Sequence, residues 1–142
     1  MKWHEFLDTA ERLARGLTEG DWRSSISRAY YAIFHYFQEF LVAHGVDLGK
    51  AGVVHQNLKI GLLSCGMGSL QPIGVQVDRL LGTRSLADYK LASPVFQGEA
   101  VKAVQRARDV VAQFTAVLAG TPAATIASTI RAYLVGQQRI PH

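Results

Sequence analysis

Residues 21–44 read DWRSSISRAYYAIFHYFQEFLVAH, and this stretch decides the fold class. Trp22, Ile26, Ala29, Tyr30, Ile33, Phe34, Phe37, Phe40 and Leu41 recur three and four residues apart. That is the period of an α-helix with one apolar face. Tyr31, Ala32 and Tyr36 widen the face, and no Gly or Pro intervenes before Gly45. At about 1.5 Å per residue the helix would be roughly 35 Å long. A helix apolar on several sides is expected to be sandwiched, with core on one side and room for a partner on another. Asp21 reads as its N-cap.

The same period continues on both sides of this segment. Upstream, Trp3, Phe6, Leu7, Ala10, Leu13, Ala14 and Leu17 form one stripe over residues 3–17, with Gly16 and Gly20 bracketing its end. Downstream, residues 45–52 read as a loop and residues 53–63 as a shorter helix, followed by a Gly-rich break at 64–68. Pro72 is placed at the first helical position of a segment over about residues 73–91. Residues 94–98 read as a turn. Residues 99–118 repeat a clean stripe, stopped by Gly120-Thr121-Pro122. Residues 123–135 form a last amphipathic piece, and residues 136–142 read as a frayed tail. Strand alternation and fixed-period repeats are both lacking. The expected architecture is all-α, an up-and-down bundle of four or five helices. Residues 1–120 would be the bundle, and residues 121–142 a C-terminal helical extension and tail.

Composition agrees with this reading. The chain has 142 residues, 49% hydrophobic and 18% charged, which suits one domain with a real core and excludes disorder by composition. The single cysteine, Cys65, excludes a disulfide-stapled scaffold and suits a reducing compartment. The first residues enter a charged, periodic segment and not the apolar run of a signal peptide. Two charge-free stretches, 60–77 and 110–130, are broken by Gly and Pro and do not read as membrane spans. A cytoplasmic location without membrane attachment is therefore expected. The net charge of +4 is uneven: −1 over residues 1–50, +2 over 51–98 and +3 over 99–142. A mildly basic back half permits attraction to phosphates without requiring it.

The run Ser27-Arg28-Ala29-Tyr30-Tyr31-Ala32-Ile33-Phe34-His35 resembles the signature helix of the HEPN superfamily, the higher eukaryote and prokaryote nucleotide-binding domains. Arg84-Ser85-Leu86-Ala87-Asp88-Tyr89 is similar to a second family pattern, and the Ala- and Val-rich segment 99–118 to its last helix. The resemblance covers roughly residues 3–118. It implies a helical bundle, usually paired into a homodimer. It also implies a metal-independent endoribonuclease of the toxin or defence type, restrained by a cognate antitoxin such as a minimal nucleotidyltransferase. The substrate would be RNA, because the attacking group is a ribose 2′-OH that DNA lacks.

Arg28 and His35 carry that implication. They are seven residues apart, about 20° short of two full turns, so both lie on one helix face about 10 Å apart along the axis. In family members that cut RNA, an Arg and a His have four to six residues between them, and six stand between them in this chain. His35 would act as general base or acid, since its unperturbed pKa near 6.5 suits both. Arg28 would hold the phosphate and offset the charge growing on it. Tyr31, Asp88 and Tyr89 are expected to bind substrate or support this pair. Ala29 stands where nuclease members often carry a polar residue. Phe37 lacks the hydroxyl that one toxin subgroup carries two positions after the His, so nucleotide attachment is not expected there.

Other readings of the same residues remain open. The Arg28–His35 face could bond to helix carbonyls, to Asp88 or to Asp21, and act as a polar pin in a dimer seam. Arg84 and Asp88, four apart, could simply pair along their helix. The aromatic cluster Tyr30, Tyr31, Phe34, Tyr36 and Phe37 could stack bases, but core or interface packing explains it more simply. His55, five after Lys50 at the start of the third helix, resembles a Lys/His position of family relatives, and a cap or surface residue explains it more simply than membership of the site. The alternative function is a non-catalytic module that binds a nucleotide or a nucleotidyltransferase, or only dimerises. No metal or cofactor is expected: the histidines show no helical pairing, Cys65 has no nearby His, and no phosphate-cradling Gly motif occurs.

Overall fold

A computed structural model describes all residues, 1–142. Six helices follow one another: α1 (Trp3–Ala14), α2 (Glu19–Ala43), α3 (Val54–Ser64), α4 (Gln71–Tyr89), α5 (Gln97–Gly120) and α6 (Ala123–Gly136). The chain contains no strand. The long helix α2 is the axis of the fold and packs against α1, α4 and α5, while α3 lies on α4 and α6 lies on α3. Ile26, Ala29, Tyr30, Ala32, Ile33, Phe34, Phe37 and Leu41 of α2 are buried, which is the broad apolar face that the spacing predicts. No single helix is long and apolar enough to cross a membrane.

Polar contacts set how the helices dock. Ser25 of α2 donates from its hydroxyl to the carbonyl of Ala10 at 2.6 Å inside the α1–α2 seam. The Trp22 indole N–H donates to the Gly16 carbonyl at 2.9 Å. Gly16 leaves room for the Asp21 carboxylate, since a Cβ there would come within 2.4 Å of Asp21 Oδ2. Helix α2 starts three residues earlier than the Asp21 cap expected from sequence implies. Thr18 is the N-cap, accepting from the Asp21 N–H at 3.1 Å, and the Asp21 carboxylate turns back to accept from the Leu17 N–H at 3.2 Å. The hydroxyl is the better placed of the two, because it sits three residues before an orphan N–H. Leu17 then falls outside α1 and is 89% exposed.

Two other boundaries differ for tertiary reasons. Pro72 is the second residue of α4 and not its first, still within the turn that needs no N–H acceptor. The tail expected to fray is instead anchored: Ile140 is buried at 7% exposure, and the Asn57 amide donates to the carbonyls of Leu48 at 2.8 Å and Arg139 at 3.4 Å. Gln138, at φ +56°, turns the chain back so that Ile140 reaches the core. Helix α5 meets α6 at 108° around Thr121-Pro122, and Ile126, Ala127, Ile130 and Leu134 of α6 enter the same core as the bundle.

The α3–α4 seam depends on Gly74. A Cβ at this position would lie 2.8 Å from the backbone nitrogen of Leu63, a neighbour that cannot rotate away. Gly74→Ala is expected to push α3 off α4 and cost about 1–3 kcal/mol, measured as a lower urea midpoint at unchanged slope.

Candidate functional site

The site lies on the flank of α2 that faces neither α5 nor the core, where α1, α3 and α4 each contribute a side chain. Helical periodicity places Ser27, Arg28, Tyr31 and His35 along this flank. Arg28 is exposed and leans over the Phe6 ring of α1, its Cζ 5.6 Å from the ring centroid. His35 is half-buried and packs on the same Phe6 ring at 4.9 Å. Phe6 therefore spans the two, and their charged ends are no further apart than those two contacts laid end to end. Arg28 has no carboxylate or carbonyl partner in the chain. Neither ring nitrogen of His35 has one either, and neither is sealed from solvent. The alternative in which this pair bonds to helix carbonyls, Asp88 or Asp21 is not what forms. Arg23, five residues earlier on α2, takes the carbonyl-binding role.

Helix α4 supports the flank through Arg84. Its Nη2 donates to the Tyr31 hydroxyl at 2.6 Å and to the Tyr89 hydroxyl at 3.3 Å. Its guanidinium lies over both rings, 5.0 and 5.3 Å from their centroids. Arg84 Nε sits 2.9 Å from Asp88 Oδ2, an ionic contact whose N–H is not aimed along the line of a hydrogen bond. The same Asp88 oxygen accepts from the Ser27 hydroxyl at 3.1 Å. Asp88 thus pairs with Arg84 along its helix, as the spacing allowed, and reaches α2 through Ser27 instead of Arg28 or His35. Tyr89 is 71% exposed and its hydroxyl meets only Arg84. Within the aromatic cluster, Tyr30, Phe34 and Phe37 are core residues, while Tyr31 and Tyr36 are half-buried at its edge.

His55 is the residue that sequence reasoning misplaced. It is neither a cap nor a surface group. At the start of α3 it is half-buried against Phe34 at 4.4 Å, Tyr30 at 5.4 Å and Tyr31 at 5.9 Å, and its Nδ1 is 2.6 Å from the Tyr30 hydroxyl. His35 packs on two of the same rings, Phe34 at 5.4 Å and Tyr31 at 6.2 Å. The meeting depends on how α3 crosses α2, which the period within either helix does not fix. Burial lowers the His55 pKa below its usual value, and the positive charges of Arg84 and His35 lower it further. Burial pushes the Tyr30 phenol up, against the pull of Arg84.

The lowered His55 value has a consequence for stability. The unfolded chain takes up the imidazole proton first as pH falls, so this contribution is complete above about pH 6.5 and is lost as pH drops through the lower folded value. Thermal melts between pH 7 and pH 5 should show a falling midpoint, and His55→Gln should flatten part of that fall.

The family model of the HEPN domain matches residues 4–116. No curated protein and no solved structure matches the chain.

Proposed function

Because this chain belongs to the HEPN family, we propose that it is a metal-independent endoribonuclease of the toxin or defence type, with Arg28 and His35 as its reacting pair. The observation that supports this most is the availability of both groups. A guanidinium and an imidazole share one exposed flank, rest on one Phe6 ring, and have no partner inside the chain. In the proposed reaction His35 accepts the proton of a ribose 2′-OH as its oxygen bonds to the adjacent phosphorus. The bond from phosphorus to the 5′-oxygen breaks, and His35 returns the proton through water to that oxygen. The products are a 2′,3′-cyclic phosphate and a 5′-hydroxyl. Arg28 holds two phosphate oxygens and offsets the charge that builds on them.

A homodimer that brings two such flanks together, a nucleotidyltransferase antitoxin and a cytoplasmic setting belong to the same proposal and rest on family membership. The test is to incubate purified protein with single-stranded RNA and a chelator. Fragments ending in cyclic phosphate are expected. RNA that is bound and left intact would overturn the enzyme and favour the binding module.

A further inference from the structure

We infer that His55 is a third member of the site, an imidazole fixed by Tyr30 as its Nε2–H form, which donates that hydrogen to a non-bridging oxygen of the scissile phosphate. This rests on the nuclease reading above and assigns a binding role to a residue outside the Arg28–His35 pair.

The argument starts from Tyr30. Its side chain has no solvent exposure, and its hydroxyl has one hydrogen-bond partner, His55 Nδ1 at 2.6 Å. A buried phenol keeps its proton and must place it on an acceptor. Nδ1 is that acceptor, so the ring proton of His55 sits on Nε2. Protonating His55 would set an N–H against the phenol O–H and leave the phenol hydrogen buried without an acceptor. The charged groups packed around the ring act in the same direction. From α2 it faces His35, and from α4 Arg84, which is already held by Asp88, Tyr31 and Tyr89. No carboxylate pairs with the ring, and Asp88 of α4 is taken up by Arg84 and Ser27.

The other ring nitrogen is free. Nε2 makes no bond within the chain and is not sealed from solvent. The ring lies beside His35, no further from it than the two legs through Phe34, 5.4 and 4.4 Å, placed end to end. A phosphodiester engaged by His35 is therefore within reach of an N–H that is already oriented and uncharged. Such a donor costs no reorganisation when charge develops on the phosphate oxygens. No bond to His55 forms or breaks, and its proton stays on Nε2 throughout.

Two measurements test this. Two-bond ¹H–¹⁵N correlation spectra of the unsubstituted protein at pH 7 should show His55 as the Nε2–H form. Its Nε2 signal should shift on titration with a single-stranded DNA 12-mer, which offers phosphodiesters that resist 2′-OH attack. An Nδ1–H or cationic ring, or an unmoved signal, overturns the inference. In kinetics above about pH 6.5, where His55 is neutral, His55→Ala should cleave RNA about 10²-fold more slowly, with the shape of the pH–rate profile over that range retained. Loss of one limb of that profile would mean that His55 transfers a proton, and would overturn its role as a fixed donor. A wild-type rate in His55→Ala beside a dead His35→Ala sinks the inference and leaves the nuclease standing. Absence of cleavage by the unsubstituted protein sinks both.

Discussion

His35→Ala is expected to lose RNA cleavage by about 10²–10⁴-fold, the range supplied by one positioned acid–base group. Arg28→Ala should lose about 10²–10³-fold, the cost of removing one donor to a charge-developing oxygen. The two differ in what else they disturb. Arg28 is exposed, lies over the Phe6 ring and has no hydrogen-bond or ion-pair partner, so its removal should change stability by no more than about 0.5 kcal/mol. His35 packs against Phe6, Phe34 and Tyr31, and its loss leaves a half-buried gap worth about 1 kcal/mol. Arg28→Lys keeps the charge but not the planar fork, so it should recover only part of the rate. Single-turnover cleavage with a chelator present, read beside thermal melts, separates chemistry from folding. Both alanine variants cleaving at the unsubstituted rate would remove the pair from the mechanism.

The largest effect on stability is expected from Arg23→Ala, at about 3 kcal/mol. Arg23 is only 9% exposed and serves the end of α4 and the turn after it. Its Nη1 donates to the carbonyls of Leu86 at 3.4 Å, Ala87 at 2.9 Å and Lys90 at 3.4 Å. Its Nη2 donates to Leu91 at 3.4 Å and to Ser93. Glu19, 3.7 Å away, balances the charge, and its other oxygen accepts from the Val95 N–H at 2.7 Å. The last carbonyls of a helix have no partners within it, and the Arg23 guanidinium reaches two of them, Leu86 and Ala87, together with those of Lys90, Leu91 and Ser93 in the turn that follows. Alanine removes the partner of the Ala87, Leu91 and Ser93 carbonyls, whereas Leu86 and Lys90 keep the backbone N–H groups of Lys90 and Ser93. Lysine should rescue little, since one ammonium cannot reach carbonyls spread over a fork. Urea unfolding of the two variants measures this directly. A loss below about 0.5 kcal/mol for Arg23→Ala would mean that water caps the same carbonyls equally well.

Arg23 also shows where sequence reasoning stops. A buried arginine bonded to helix carbonyls is one of the readings open for Arg28, five residues on. The arginine in that role is Arg23, and periodicity alone cannot choose between them. Both lie on α2, and which flank is covered depends on the α4–α5 connection crossing it. His55 makes the same point from the other side. Its type and position are plain in the sequence, but its bond to Tyr30 is a contact between residues 25 positions apart, made by the docking of α3. The anchored tail likewise depends on Asn57 meeting Arg139, 82 positions away.

By itself the sequence determined that the chain is helical, roughly where each helix runs, and that Arg28 and His35 share a face. These follow from the 3.6-residue period, which acts between neighbours three and four apart and needs no knowledge of the rest of the chain. The tertiary structure alone decided which arginine is buried and which is free, that Arg84 holds Tyr31 while Asp88 holds Ser27, and that a second imidazole stands beside the first. Those outcomes depend on which surfaces of different helices lose water to one another, and burial is a property of the packed assembly of helices and not of any single segment.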